Sequence, residues 1–389
     1  MLVAALKSAA PRLAFNRHEL SGAFGDIGTD LPLIIAMIPA AGLDPASVFT
    51  LFGVMQILTG LVYGLPMPMQ PLKAMAVIVI TEKVAGATLF GGGFAIGVAM
   101  LVLAATGLLA WLARVIPHPV VRGVQLGLAL SLAGLALRTY VPALGVPGYA
   151  LAALCFALIV ALNGNRHLPP ALPVVALGIG VALLWHVDGA AILAGVGWRL
   201  PTLHLPSLAD IALGAVVLAL PQLPLSLSNS VIATERTVRD LFPERSVSVR
   251  KIGLTYSLVN LVLPFFGAIP LCHGCGGLAG HHAFGARTGG SVILYGSLFL
   301  VIGLFFSGAA GEVVRLFPYP VLGVILLFEA LALATLVRDV AGSRRDLTLT
   351  LLVALLAAGL PQGYVVGLVV GTLLHGLSER VTLLRDAKP

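Results

Sequence analysis

Two carboxylates stand one helical turn apart in the first long apolar run, Asp26 and Asp30 of "ELSGAFGDIGTDLPLII" (19–35). An i, i+4 spacing puts both on one helix face, and burying both as anions in lipid is expensive. They must pair with cations, keep a proton, or take up a coupling proton or cation. Lys73 is the counterpart, a cation within "GLPMPMQPLKAMA" (64–76). A lysine inside a span costs about 2.5–3.5 kcal/mol on insertion scales. It therefore pairs with Asp26 or Asp30, snorkels to an interface, or serves an anion. Glu329 is another lone carboxylate in an apolar run and a candidate proton site.

"LPQLPLSLSNSVIATER" (220–236) adds neutral donors: Gln222, Ser226, Ser228, Asn229 and Ser230. These can bind an oxyanion without a net charge, although serines in helices also bond back to their own backbone. Gly22, Gly25 and Gly28, spaced i, i+3, i+6, leave a face with little side chain where another helix can approach closely. Cys272-x-x-Cys275 with His273 invites a metal reading, but zinc needs about four ligands and no second cluster has suitable spacing. His281-His282 lies close to a loop. Small residues that bring backbone near a substrate account for the stretch better, and no metal or cofactor is expected.

The frame for these residues is set by composition. Of 389 residues 59% are hydrophobic and 10% charged, with mean hydropathy +1.04, against about 25% charged in soluble domains. Apolar runs near 20 residues recur throughout, the pattern of an all-α polytopic membrane protein and not of a β-barrel. No soluble domain is expected. The longest polar interval, 234–251, reads as a loop, and residues 1–18 as a cytoplasmic lead-in helix. Three cysteines make no disulfide framework. The net charge of +7 is distributed as a topology signal, so no nucleic-acid partner is implied.

Membrane segments are expected near 19–40, 47–64, 70–85, 92–113, 118–137, 147–163, 171–187, 208–232, 250–266, 271–284, 289–308, 318–337, 346–360 and 362–378. Two of the fourteen, 70–85 and 271–284, are too short to cross about 30 Å as plain helices. "IPHPVVRGVQLGLALSLAGLAL" (116–137) resembles "FPYPVLGVILLFEALALATLV" (317–337), and "YGLPMPMQPLKAMA" (63–76) resembles "FGAIPLCHGCGGLA" (266–279). Both pairs share nearly one offset, so the chain reads as two repeats, 1–187 and 208–378. Seven spans per repeat invert the second copy, with a substrate site where the broken helices meet. With both termini inside, 18 Lys/Arg fall on cytoplasmic loops against 4 outside, Lys73 being within a span; the asymmetry obeys the positive-inside rule.

The prolines of "GLPMPMQP" (64–71) cannot sit in a regular helix. An extended entry followed by a half-helix near Gln70-Pro71 is expected, and "GAIPLCHGCGGLAG" (267–280) should match it from the other side. Two facing half-helix N-termini, with unpaired N–H groups and positive dipole ends, make an anion site.

At "ELSGAFGDIGTDLPL", "GLPMPMQPLKAMA", "LPQLPLSLSNSVIAT" and "PLCHGCGGLAGHHAFGARTGGS" (270–291) the chain resembles the molybdate transporter family, a branch of the SulP-type sulfate permease superfamily. The resemblance implies the seven-plus-seven inverted fold shared with SulP and nucleobase permeases. It also implies a core domain of spans 1–4 and 8–11 moving against a gate domain of spans 5–7 and 12–14. The implied substrate is a tetrahedral dianion, molybdate or sulfate. Typical SulP proteins carry a STAS domain; its absence after the last span favours the molybdate branch. Asp30 departs from the family pattern, where an uncharged residue follows "GT", which leaves its role open.

The expectation is a secondary active importer in the plasma (inner) membrane, with an oxyanion and the lipid bilayer as partners, and with a homodimer as one assembly open to it. The expected substrate-binding set is Gly25, Asp26, Thr29, Gln70, Lys73, Gln222, Ser226, Ser228, Asn229, His273, Gly274, Gly276 and Gly277. Asp26, Asp30 and Glu329 are the coupling candidates. No G-x-x-x-x-G-K-[ST] signature occurs, so ATP drive is not expected. A nucleobase or other organic-anion permease is the alternative on the same fold, although such a site would want an aromatic lid. An intramembrane Mg²⁺ enzyme using Asp26 and Asp30 would display a second acidic cluster, and none is seen. A passive channel or exchanger leaves no sequence trace that separates it.

Overall fold

The computed structural model describes residues 13–377 except 166–167, 169, 186 and 361–362. It is mostly helical. In the first half, α1 (Arg17–Ala23), α2 (Ile27–Ala41) and α3 (Pro45–Tyr63) lead to a two-residue strand β1 (Gln70–Pro71). The helices α4 (Lys73–Glu82), α5 (Gly86–Ala105), α6 (Leu108–Val115), α7 (His118–Leu135), α8 (Gly145–Leu162) and α9 (Ala171–Trp185) follow. In the second half, α10 (Leu208–Gly214), α11 (Leu220–Leu225), α12 (Thr234–Leu241) and α13 (Val249–Val262) precede strand β2 (Leu271–Cys272). Then come α14 (Cys275–Ala283), α15 (Gly290–Val301), α16 (Tyr319–Ala334), α17 (Arg344–Gly359) and α18 (Gly363–Gly376).

Among the described residues each expected segment overlaps a helix, the two short ones only after a strand. Five described helices are long and apolar enough to cross a membrane by length and composition, and up to seven if each bent pair counts as one span. Large apolar side chains such as Trp185, Leu205 and Leu208 point outward, as a lipid-facing surface requires.

Polar interval 234–251 is not all loop. Helix α12 continues the preceding π-helical stretch Ser226–Ala233 as far as Leu241. Its charges are spaced to pair one turn apart, Glu235 with Arg239 and Arg236 with Asp240, which supports a helix that reads as a loop by polarity alone. Of the expected lead-in helix, residues 1–12 lie outside the described residues and 13–15 are not helical. Lys7, Arg12, Arg166, Arg380, Arg385 and Lys388 of the charge count also lie outside them.

Both short segments are strand-then-helix units, as the prolines demand. β1 and β2 pair antiparallel, Gln70 opposite Cys272 and Pro71 opposite Leu271, and the Leu72 N–H extends the ladder to the Pro270 carbonyl at 3.2 Å. Buried extended backbone needs further partners, and two amide side chains supply them. Gln56 on α3 donates Nε2 to the Met69 carbonyl (2.8 Å) and accepts the Met69 N–H (3.0 Å). Asn260 on α13 donates Nδ2 to the Leu271 carbonyl (2.6 Å) and accepts the Leu271 N–H (3.0 Å). The helices carrying the clamps pack crosswise, α3 on α15 and α13 on α5, while α7 packs on α17 and α16 on α8.

Both clamp residues are fully buried, so Gln56→Leu and Asn260→Leu each strand one backbone N–H and one carbonyl. Each substitution is expected to cost about 1–3 kcal/mol, read as a lowered Tm in detergent, with the two variants alike. An unchanged Tm for either would show that the strand does not need its clamp.

Candidate functional site

The chain unwinds between α1 and α2, at residues 24–26, and the two helices meet at a 42° bend. The glycine face runs along this bend. A side chain on Gly22 would strike Ala286, one on Gly25 would strike the backbone of Gly280, and one on Gly28 would meet the Leu322 carbonyl at 2.6 Å. Backbone therefore lies on backbone where α1 and α2 cross α14 and α16.

That contact brings Asp26 to the start of α14. Asp26 Oδ1 accepts from Gln70 Nε2 at 2.6 Å, tying the bend to β1. Asp26 Oδ2 rests against Gly277, and Gln70 Oε1 rests against Gly274; neither oxygen has a hydrogen-bond partner. Glu329, from α16, sits over Gly276, where a Cβ would lie 2.6 Å from its Oε1. Its Oε2 accepts from Thr29 Oγ1 at 3.1 Å. Asp30 Oδ2 accepts from the Tyr295 hydroxyl at 3.3 Å. All three carboxyls are fully buried.

Lys73 opens α4 across the strand pair. Its Nζ is sealed from solvent without a hydrogen-bond partner, and its charge acts on Glu329, Asp26 and Asp30. A cavity of about 310 Å³ borders Lys73, lined by Ala74 and Val77 on α4, Pro221 and Leu225 on α11, and Leu360 and Tyr364 at the α17–α18 turn. That is roughly ten water volumes.

The expected donors divide into two groups. Gln222 Oε1 accepts the first-turn N–H groups of Ala74 (2.9 Å) and Met75 (3.2 Å). It occupies the position at the α4 N-terminus where an oxyanion oxygen would dock. The expectation that both half-helices present unpaired N–H groups is corrected for α4: buried first-turn donors need an acceptor, and Gln222 supplies one. Gln222 Nε2 donates to Ser226 Oγ (3.1 Å), which contacts the Tyr256 hydroxyl (2.8 Å). These contacts are structural. His273 also has both ring nitrogens engaged, Nδ1 with the Pro68 carbonyl (3.1 Å) and Nε2 with Thr255 Oγ1 (2.7 Å). It braces the strand entry beneath Tyr63. Asn229 Oδ1 accepts from Cys275 Sγ at 2.9 Å, at the first residue of α14. Ser228 is buried on the same π-helical stretch, and Ser230 is buried there with its hydroxyl unpartnered.

The bend, the strand pair and the two half-helix starts therefore collect Gly25, Asp26, Thr29, Gln70, Lys73, Asn229, Gly274, Gly276, Gly277 and Glu329. Asp30 joins through Tyr295, a residue the sequence reading missed because a lone tyrosine in an apolar run carries no spacing signal. Gln56 and Asn260 were also missed, although amides inside apolar runs, 204 residues apart, were a usable signal. Among the described residues no group of His, Cys, Asp or Glu could hold a metal ion.

The family model described as "Molybdate transporter of MFS superfamily" matches residues 18–132 and 214–333, which contain every residue of this site. Molybdate transporter 2 of Arabidopsis thaliana is 33% identical over 384 residues, covering 86% of this chain and 82% of that protein. Molybdate transporter 1 of the same plant is 33% identical, covering 82% and 80%. The fold is similar to that of the murine Solute Carrier 26 family member A9 anion transporter in the inward-facing state. There the TM-score is 0.61 at 13% identity, over 97% of this chain and 70% of that one. It is also similar to the transmembrane domain of the cyanobacterial bicarbonate transporter BicA, with TM-score 0.52 at 17% identity, over 88% and 97%. The relatives are named as transporters, not enzymes, and the chain belongs to the molybdate transporter family of integral membrane proteins.

Proposed function

We propose that this chain is a secondary transporter that imports a tetrahedral oxyanion, molybdate before sulfate, by alternating access. The observation that carries this reading is a lysine at the first turn of a half-helix, its Nζ sealed from solvent without a hydrogen bond, beside an entry strand that pairs with the entry strand of a second half-helix. A dianion there would gain the Lys73 charge and two helix dipole ends. Displacing Gln222 from Ala74 and Met75, and Asp26 from Gly277, would open the donors such an anion needs.

The matched amide clamps and crosswise packings support fourteen spans arranged as two inverted sevens. On this reading the core comprises α1–α5 and α10–α15, and the gate comprises α7–α9 and α16–α18. Both termini would face the cytoplasm at the plasma membrane, and a homodimer would be the assembly.

Charge supports proton coupling. Three ionised carboxyls beside one ammonium would repel a dianion and could not be buried cheaply. Protons taken up by Asp26, Asp30 or Glu329 would remove both obstacles and travel inward with the substrate. Import should therefore strengthen as pH falls.

Lys73→Ala is expected to abolish uptake of radiolabelled molybdate while the protein remains folded in detergent. Undiminished uptake would remove Lys73 from the site. For Glu329→Gln the expectation is uptake that no longer changes with external pH; a wild-type pH profile would exclude Glu329 as the proton carrier. Asn229→Ala should weaken molybdate binding, and an unaltered isotherm would leave Asn229 outside the site.

A further inference from the structure

A second charged network centres on one buried arginine. Arg122 on α7 has a side chain only 2% exposed. It donates Nη1 to Asp240 of α12 at 2.6 Å. It donates Nε to both carboxylate oxygens of Asp339, each at 3.0 Å, and Nη2 to the same group. Asp339 lies in the 3₁₀ turn 335–340 that ends α16. Arg236 of α12 reaches Asp240 at 3.4 Å and Asp339 at 3.8 Å, and His118 Nε2 lies 3.2 Å from Asp339. One turn deeper, Gln125 donates Nε2 to Thr237 Oγ1 (2.8 Å) and to the Ala233 carbonyl (3.3 Å).

Two arginines meet two aspartates, and Arg122 is the buried member, with Asp240 16% and Asp339 38% exposed. Every bond from Arg122 and Gln125 to α12 crosses from a helix assigned above to the gate onto one assigned to the core. The opposite ends of the same helices are different. There Pro32 and Ile35 of α2 face Phe317, Pro318, Tyr319 and Leu322 across a mostly apolar cleft of about 310 Å³, whose one charged lining residue, Arg315, pairs with Glu312 of its own segment. One end of the domain boundary is held by charge, and the other is not.

We propose that Arg122, Asp240, Asp339 and Arg236 form a latch that closes the arginine-rich end of the transport pathway, and that the transport cycle must break it. Asp240 takes the charged bond from Arg122 across to the core side, so removing it weakens the latch and should favour the state open at that end. The latch rests on the division into core and gate proposed above.

The test joins the two sides covalently at the latch. A Gln125→Cys, Thr237→Cys double variant is treated with a short bis-thiosulfonate reagent, with each single substitution and the parent protein, whose Cys155, Cys272 and Cys275 are buried, as controls. The cross-linked protein is expected to lose molybdate uptake, recover it on reduction, and still bind molybdate by calorimetry. Full uptake by protein shown to be cross-linked would overturn the latch. A second measurement needs no substrate. Asp240→Asn in the Gln125→Cys background should raise the rate of thiol labelling in detergent, and an unchanged rate in folded protein would also overturn it. Should molybdate fail to bind even the unmodified protein, the oxyanion reading falls, while the labelling rate still decides whether Asp240 holds this interface shut.

Discussion

Two helices that begin in the middle of an apolar interior create a debt of unsatisfied N–H groups, and much of this molecule follows from how that debt is met. A helix start leaves its first four donors without intrahelical partners, and lipid supplies none. Here the entry strands satisfy each other and are clamped from behind by Gln56 and Asn260. At α4 the first donors go to the amide oxygen of Gln222. At α14 oxygens of Asp26, Gln70 and Glu329 rest on Gly277, Gly274 and Gly276, which have no side chain to keep them off, and none of the three makes a hydrogen bond. An anion could replace them without either helix being rebuilt.

The same geometry explains why carboxyls crowd the candidate site. Asp26 is held where the α1–α2 bend meets α14, and the bend exists because backbone must lie on backbone at Gly25 and Gly280. Glu329 arrives from the facing helix and is steadied by Thr29. In this low-dielectric setting charges act strongly on one another. On the proposed reading, proton number and anion occupancy would be coupled through the Lys73 ammonium.

The sequence made much of this legible, and the limits have physical causes. Asp26, Lys73 and Glu329 stood out because charge is rare in apolar runs. The proline-broken segments were readable because proline forbids regular helix, and the structure puts a strand before a short helix in both. Neutral donors were less readable. Gln222 and Ser226 looked like substrate ligands by type, yet they cap α4 and brace Tyr256, and His273 supports the strand entry. A polar group that satisfies backbone and one that meets substrate have the same composition; only geometry separates them. Helix α12 was hidden for a related reason, since its partners on α7 and α14 are invisible in a local polarity reading. The resemblance to molybdate transporters came from four motifs together, and the matched family boundaries enclose all four through the start of α15.

The most direct test of the central claim is anomalous diffraction at the molybdenum edge from crystals of the protein grown with molybdate. The account predicts one strong peak between the first turn of Lys73–Glu82 and that of Cys275–Ala283, beside the Lys73 ammonium. A peak elsewhere, with that gap still filled by Asp26 and Gln222, would contradict it.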